Sequence, residues 1–324
     1  MYLIQRPQTD PYFNLAAEEY LLKHFEHDCF MLWRNEASIV VGKHQNTFAE
    51  INPVFVSKHQ IPVIRRISGG GTVFHDPGNI NFSFVSKGES GKLVDFKKFA
   101  EPVIQALKQM GLDAKFEGKN DLRIDGLKIS GNAEHVFKNK VLHHGTLLFN
   151  SKLDILTDAI RVKDGIFKDK AVQSNRSKVV NIAGFMKTKM DVHEFMEILQ
   201  KHLRQLLDAK NDHTFTSDDL RAIGQLADEK YKSWEWNYGY SPPFTFTREF
   251  TIDESVLAVE ISVEKGMIKA ATIADPKRDW KELLQLITGE RFDARHIFGI
   301  LKKKLPFENL DADLLNAWIT GIFY

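Results

Sequence analysis

Three consecutive glycines between two strand-like runs constrain this chain more than any other feature. The segment reads Arg65, Arg66, Ile67, Ser68, Gly69, Gly70, Gly71, Thr72, Val73, Phe74, His75, Asp76. Glycine lacks a Cβ, so such a loop adopts positive φ and approaches a ligand without side-chain clashes. Successive backbone N–H groups in it converge on an anion. Two arginines stand just before it, and a guanidinium is a rigid fork of donors matched to phosphate or carboxylate. The segment therefore reads as a binding loop for an activated phosphate or acyl-phosphate group. A flexible hairpin connection accounts for the glycines alone, but not for the paired arginines or the His75-Asp76 edge. No Gly-Lys-Ser/Thr follows, so this is not a Walker A loop, and the glycine spacing is not that of a dinucleotide fingerprint.

Anion binding has to come from such a local cluster, because the 324-residue chain has a net charge of only +1. That charge gives no global basic field for nucleic acid or an anionic membrane, and neither is expected as a partner. No apolar run approaches the roughly 18 residues of a membrane span. The first residues reach Pro7 and Asp10 before any long apolar run, unlike a signal peptide. The single Cys29 excludes an internal disulfide framework and a cysteine-rich zinc site. A cytoplasmic location is expected, since that compartment is reducing.

The hydrophobic pattern mixes strands and helices without a strict βαβ rhythm, which predicts an α+β fold of mixed sheets flanked by helices. A helix is expected over residues 14–25, capped by Asn14. Strands are expected over 30–34, 38–42, 61–66, 72–75 and 80–85. Asp95 opens a helix that contains Pro102 and stops at Gly111. Residues 122–150 read as short strands joined by turns at Asp125-Gly126 and Gly131. Asp191 and Glu194 form a capping box before a stripe of Phe195, Ile198, Leu199, Leu203 and Leu206. Ser217 is expected to cap another helix, with Leu220, Ile223 and Ala227 facing inward. The run Tyr238, Gly239, Tyr240, Ser241, Pro242, Pro243 interrupts regular structure. Strands follow to Asp275, with a hairpin at Glu264-Lys265-Gly266, and helical patterns run from Asp279 onward. The expected division is a catalytic domain at 1–244 and a small α+β domain at 245–324.

A second cluster runs through Asn120 and Asp121 to Asp125, Gly126, Leu127, Lys128, Ile129, Ser130, Gly131, Asn132 and Ala133. Strand alternation puts Lys128 on the face opposite its neighbours. It is either a solvated lysine or a cleft cation placed to meet phosphate or a developing oxyanion. Adjacent His143 and His144 face opposite sides of a strand. They therefore suit a hydrogen-bonded core or pocket wall better than a joint metal site. Cys29 has no base beside it in sequence and reads as an inert buried thiol. Trp234, Trp236 and Tyr238 read as packing.

Three stretches taken together resemble lipoate–protein ligase A: residues 65–84, residues 119–133 and residues 143–150. So do Asn14-Leu15-Ala16-Ala17-Glu18-Glu19, Gly42-Lys43-His44-Gln45-Asn46, the segment 233–239 and Ala317-Trp318-Ile319-Thr320-Gly321. The likeness spans nearly the whole chain. It implies a catalytic domain of the biotin- and lipoate-ligase type with an accessory domain. It also implies a two-step reaction, in which lipoate and Mg-ATP give lipoyl-AMP and pyrophosphate, and a carrier lysine then takes the acyl group. Carried over, Lys128 is the catalytic residue. Arg66, Gly69, Gly70, Gly71, Thr72, Val73, Phe74, His75, Asn79 and Asp121 contact the nucleotide. Mg2+ comes with ATP rather than in a protein-built metal site. Val40, Val41, Val73 and Phe82 line an apolar tunnel for the lipoyl chain. The expected partners are lipoyl domains of 2-oxoacid dehydrogenase acyltransferase subunits or a glycine-cleavage H protein, met by a monomer.

Three other readings stay open on sequence. An acyl transferase of the same fold uses no ATP but needs a nucleophilic cysteine, and only Cys29 is present. Biotin ligation would call for a differently built glycine loop. A carrier-binding protein without activity would have no need of Arg66, Gly71 and Lys128.

Overall fold

The structure is a computed structural model that describes residues 1–5, 8–88, 93–160, 167–174, 177–304 and 312–323. Its strands in chain order are β1 (Tyr2–Ile4), β2 (Cys29–Trp33), β3 (Ser38–Val41), β4 (Val63–Arg65), β5 (Val73–His75), β6 (Asn79–Lys87), β7 (Lys115–Glu117), β8 (Asp121–Ile124), β9 (Leu127–Phe137), β10 (Lys140–Leu148), β11 (Phe167–Asp169), β12 (Asn211–His213), β13 (Phe244–Ile252), β14 (Ser255–Glu264) and β15 (Met267–Ala274). They form an eight-stranded sheet in the order β12-β1-β2-β6-β10-β9-β8-β7, a four-stranded sheet β11-β13-β14-β15 and a three-stranded sheet β4-β3-β5. Both parallel and antiparallel pairs occur, so the α+β expectation is met.

The large sheet has two unlike faces, set by the period-two alternation of β6. Ile80, Phe82 and Phe84 point into a core with Phe99, Val103 and Leu107 of the helix Phe96–Gln109 and with Phe195, Leu199 and Leu203 of the helix Val192–Leu206. Asn79, Asn81 and Ser83 lie on the other face and are also buried. Phe82 thus belongs to the helix-covered core, and the expected tunnel lining at that position is corrected. Gly145 on β10 is tied to the same packing, since a Cβ there would lie 2.4 Å from Phe82 Cζ and 2.5 Å from Asn132 Oδ1.

The first helix, Pro11–His24, starts earlier than expected. Asp10 is the cap, accepting from Tyr12 and Phe13 N–H, and Pro11 occupies the first turn, where a missing N–H costs nothing. Asn14 sits inside the helix, with its amide donating to Arg34 O and Asn35 Oδ1. Thr216, not Ser217, caps the helix Ser217–Leu226. Ile198, Leu206 and Leu220 lie on exposed flanks of their helices rather than in the core. Gly131 lies within β9 and makes no turn. The Asp125-Gly126 hairpin does form, with φ of 50° and 73°, the left-handed pair of a type I′ turn. Lys265-Gly266 repeats it at 51° and 71°. The helical run expected from Asp279 contains Lys281–Ile287, Ala294–Lys304 and Ala312–Phe323, while residues 305–311 lie outside the described part.

Two compact units emerge. One comprises residues 1–43, 61–158 and 174–233, and the other 44–60, 159–173 and 234–324. The second unit has its own core, in which β13–β15 pack on Trp280, Leu283, Ile297, Trp318 and Ile319. Phe48 joins it, with ring contacts to Phe244 and Phe292 at 5.4 and 5.3 Å. Trp234 stacks on Tyr238 and covers Gly266, so this aromatic group is packing. No described helix is long and apolar enough to cross a membrane.

Candidate active site

The glycine loop leaves β4 at Arg65 and enters β5 at Val73, so both ends are fixed by the three-stranded sheet. Its shape comes from the two arginines. Arg66 donates from Nε to Ser68 Oγ at 3.0 Å, from Nη1 to Val40 O at 3.0 Å, and from Nη2 to Gly69 O at 2.6 Å and Gly71 O at 2.7 Å. Arg65 is fully buried and donates to Gly42 O and Lys43 O, both at 3.0 Å. Turning the Gly69 and Gly71 carbonyls onto Arg66 turns the next amides, those of Gly70 and Thr72, away from it. Gly70 has a φ of 87°, and its vacant Cβ position lies 3.0 Å from Arg66 Nη2, so a side chain there is excluded twice over. Gly71 closes on Ser174, whose hydroxyl accepts the Thr72 N–H at 2.8 Å. Val73 and Phe74 pair with Val40 and Ile39 of β3.

Below the loop lies a continuous polar chain on the non-core face of the large sheet. Ser68 Oγ meets His144 Nε2 at 2.6 Å, and His144 Nδ1 meets Glu18 at 2.8 and 3.0 Å. Ser83 donates to Glu18 Oε1 at 2.6 Å, and Trp33 Nε1 donates to Ser83 at 2.8 Å. With the carboxylate on Nδ1, Nε2 is free to accept the Ser68 proton. Every member is buried, so the chain holds the loop rigidly only while all its hydrogen bonds are made. The adjacent histidines do part company, since His143 faces the core side, bonded to Glu134 at 2.8 Å and Asn132 at 3.2 Å.

Lys128 reaches this same face through an irregularity. Leu122 pairs with Ser130 and Arg123 with Lys128, which makes Ile129 an extra residue in β9. In a strictly alternating strand Lys128 would share the core-facing side of Ser130 and Asn132. The bulge returns it to the side of Gly131 and Ala133. Gly131 then leaves room for it, because a Cβ there would sit 3.3 Å from both Lys128 Cε and Nζ. Asp121 holds the ammonium at 2.8 Å and Arg123 at 2.9 Å. The loop lies over the same strand face, the Cβ position of Gly70 being 3.9 Å from Ala133 Cβ.

His75 and Asn79 close the far end. Asn35 Nδ2 donates to His75 Nδ1 at 3.0 Å, which puts the imidazole proton on Nε2. Asn79 Nδ2 donates to Asn81 Oδ1 at 2.9 Å. His75 Nε2, Asn79 Oδ1 and Asn81 Nδ2 are buried with no hydrogen-bond partner among the described residues. Such groups call for a water or a ligand's polar atoms. Asp76 accepts the N–H of Gly78 at 2.8 Å and of Lys152 at 2.6 Å, fixing the turn between β5 and β6.

Burial, followed by the charge of Arg66, pushes His75 from the ordinary 6.5 down to about 3. Between these values the unfolded chain binds a proton that the folded chain refuses. Stability from this residue is therefore complete above about pH 6.5 and falls as pH drops toward about 3. The limiting slope is about 1.4 kcal/mol per pH unit. Denaturant titrations of the wild type and His75→Gln between pH 7 and pH 4 are expected to diverge by that slope, and parallel curves would contradict the assignment. Cys29 is buried and its thiol is pushed up to about 12 by burial and then by Asp28, which disfavours the thiolate that nucleophilic attack requires. Among the described residues no three His, Cys, Asp or Glu side chains gather as a metal cluster.

Sequence reasoning located the loop, Lys128 and Asp121 but missed Glu18, Ser68, Ser83 and Trp33 as parts of one network. The available signal was a pair of glutamates, Glu18 and Glu19, between the apolar runs Leu15-Ala16-Ala17 and Tyr20-Leu21-Leu22.

The model of the lipoyl protein ligase A/B catalytic domain matches residues 10–204. Lipoate-protein ligase LplJ of Bacillus subtilis is 39% identical over 301 residues, covering 91% of each chain. Among solved structures, an archaeal lipoylation system from Thermoplasma acidophilum, described as a bi-partite lipoate protein ligase and its E2 lipoyl domain, superposes with a TM-score of 0.65 at 26% identity, over 74% of this chain and 96% of that one. A lipoate-protein ligase A bound with ATP gives 0.64 at 25% identity, over 74% and 98%.

Proposed function

The chain belongs to the lipoyl protein ligase A/B family, and from that premise we propose how it works as an ATP-dependent lipoate–protein ligase. The first step joins a lipoate carboxylate oxygen to the α-phosphorus of ATP and breaks the bond to the β-phosphate, giving lipoyl-AMP and pyrophosphate. In the second, the neutral amine of a carrier lysine attacks the acyl carbon. AMP leaves with the electron pair, and the nitrogen loses a proton. The observation that carries the residue assignment is the bulged β9, with Lys128 aimed across Gly131 on the face that the glycine loop covers.

Lys128 is the catalytic residue in this reading. Its ammonium stabilises negative charge on the α-phosphate in the first step and on the acyl oxygen in the second. Asp121 orients it. The amides of Gly69, Gly70 and Gly71 receive the adenylate, Thr72, Val73 and Phe74 border it where the loop enters β5, and Arg66 shapes that surface from beneath while adding positive charge. The unpartnered His75 Nε2–H and Asn79 Oδ1 offer one donor and one acceptor to the nucleotide. Mg2+ would come as part of the ATP substrate and would supply charge neutralisation of its phosphates. Val40, Val41 and Val73 fit an apolar acyl channel. Residues 1–244 carry both steps and 245–324 serve as the accessory domain. The acceptors are lipoyl domains of 2-oxoacid dehydrogenase acyltransferases or a glycine-cleavage H protein, modified in the cytoplasm by a monomer.

Incubation with lipoate and Mg-ATP in the absence of a carrier is expected to accumulate lipoyl-AMP, detected by mass. Its absence would remove the adenylation step. Gly131→Ala places a methyl against the Lys128 ammonium, so kcat is expected to fall about ten- to a hundredfold with an unchanged melting temperature. An unaltered kcat would mean that Lys128 does not work from this position.

A further inference from the structure

Glu19 follows Glu18 on the first helix and is buried, yet it serves a different set of partners. It accepts Lys23 Nζ at 2.6 Å, Lys230 Nζ at 2.7 Å and the Tyr231 hydroxyl at 2.6 Å. One carboxylate facing two ammonium groups leaves a net positive charge. Burial alone would raise the Glu19 carboxyl, but the three donors more than offset it and hold it below the ordinary range.

More positive charge adjoins this group. The Lys43 N–H donates to Ser68 O at 2.8 Å, which fixes Lys43 to the glycine loop. Ser68 is linked through His144 to Glu18, the chain neighbour of Glu19. His135 stands on the same face of β9 as Gly131 and Ala133. Lys128 at Gly131, the loop over Ala133 and then His135 succeed one another along about 13 Å of strand, at roughly 3.3 Å per residue. Burial and then the charge of Lys43 lower His135, and burial opposed by Glu19 lowers Lys230, with Lys23 and Lys43 adding to the fall. These ammonium groups repel one another in a partly desolvated place, an arrangement that favours a multivalent anion.

We propose that Lys23 and Lys230, gathered on Glu19, together with Lys43 on the glycine loop, hold the β- and γ-phosphates of ATP and then pyrophosphate as it leaves. This rests on the adenylation reading above. When the bond between the α-phosphorus and the bridging oxygen breaks, pyrophosphate departs with the electron pair. The cluster receives that charge without a proton transfer.

Direct titration of inorganic pyrophosphate onto the full chain by calorimetry, without lipoate, reads the site itself. Lys43→Ala is expected to weaken binding about tenfold or more, the scale of one lost hydrogen bond to a charged group. Lys43→Arg is expected to restore most of it. Lys23→Ala, at the helix surface, is expected to give a similar loss, and Lys108→Ala on the exposed side of the helix Phe96–Gln109 none. Affinities within twofold of wild type for both Lys43→Ala and Lys23→Ala would overturn the assignment. So would a defect confined to acyl transfer from preformed lipoyl-AMP, which would make the cluster a docking surface for the carrier. Lysine-dependent pyrophosphate binding by a wild-type chain that forms no lipoyl-AMP would uphold the anion site and sink the adenylation reading instead.

Discussion

Replacing Lys128 with alanine is expected to slow lipoate-dependent exchange of pyrophosphate into ATP by about a thousandfold while the protein stays folded. The size follows from the loss of one preorganised cation at developing oxyanion charge, which is worth about a hundred- to a thousandfold per donor. The same residue acts in both half-reactions here, so single-turnover transfer from preformed lipoyl-AMP should slow as well. Stability should barely change. The Lys128–Asp121 pair is partly exposed, such pairs contribute about 0–1 kcal/mol, and Asp121 keeps Arg123 as a partner. Lys128→Arg should recover little, because a planar fork is bulkier than the point charge for which Gly131 leaves space. A variant with wild-type exchange would remove Lys128 from the chemistry. One that lost exchange but kept transfer would confine it to the first step.

Glu18→Ala is expected to be the most destabilising single change in the catalytic unit, at about 3–5 kcal/mol in denaturant unfolding. That is the usual cost of removing one partner from a buried charged network. The Ser83 hydroxyl and His144 Nδ1 would lose their buried carboxylate acceptor, and Ser68 would lose its anchor on the loop. Glu18→Gln keeps the shape and one acceptor oxygen, so it should cost about 1–3 kcal/mol, the penalty of a mismatched buried donor. In that milder variant the KM for ATP should rise before kcat falls, since the loop is loosened rather than the cation removed. If Glu18→Ala lost less than about 1 kcal/mol, the chain from Trp33 to Arg66 would not be what steadies the loop.

The parts of this site that sequence reveals are those written in local backbone chemistry. Glycine runs, the Asp125-Gly126 and Lys265-Gly266 turns and the Asp191 capping box each depend on a few adjacent residues, and each formed. The first helix was misjudged at its start because Asp10 and Pro11 supply a better cap than Asn14. Its role was hidden because both its faces are buried, so its apolar period carries no directional signal. The bulge at Ile129 leaves no mark in a strand whose neighbours also alternate, yet it decides which face Lys128 occupies. Gly131 was expected in a turn because glycine usually signals one. Here its missing Cβ makes room for a side chain three residues away. Thr47 and Phe48 pack against Asn237 and Phe244, nearly two hundred residues on. No local pattern encodes such a pairing.

The central claim is tested most directly by the intact mass of a lipoyl-domain acceptor incubated with the wild-type protein and lipoate, with and without Mg-ATP. The predicted result is a gain of one lipoyl group only when ATP is present. A gain from an acylated donor without ATP, or no gain under either condition, would contradict it.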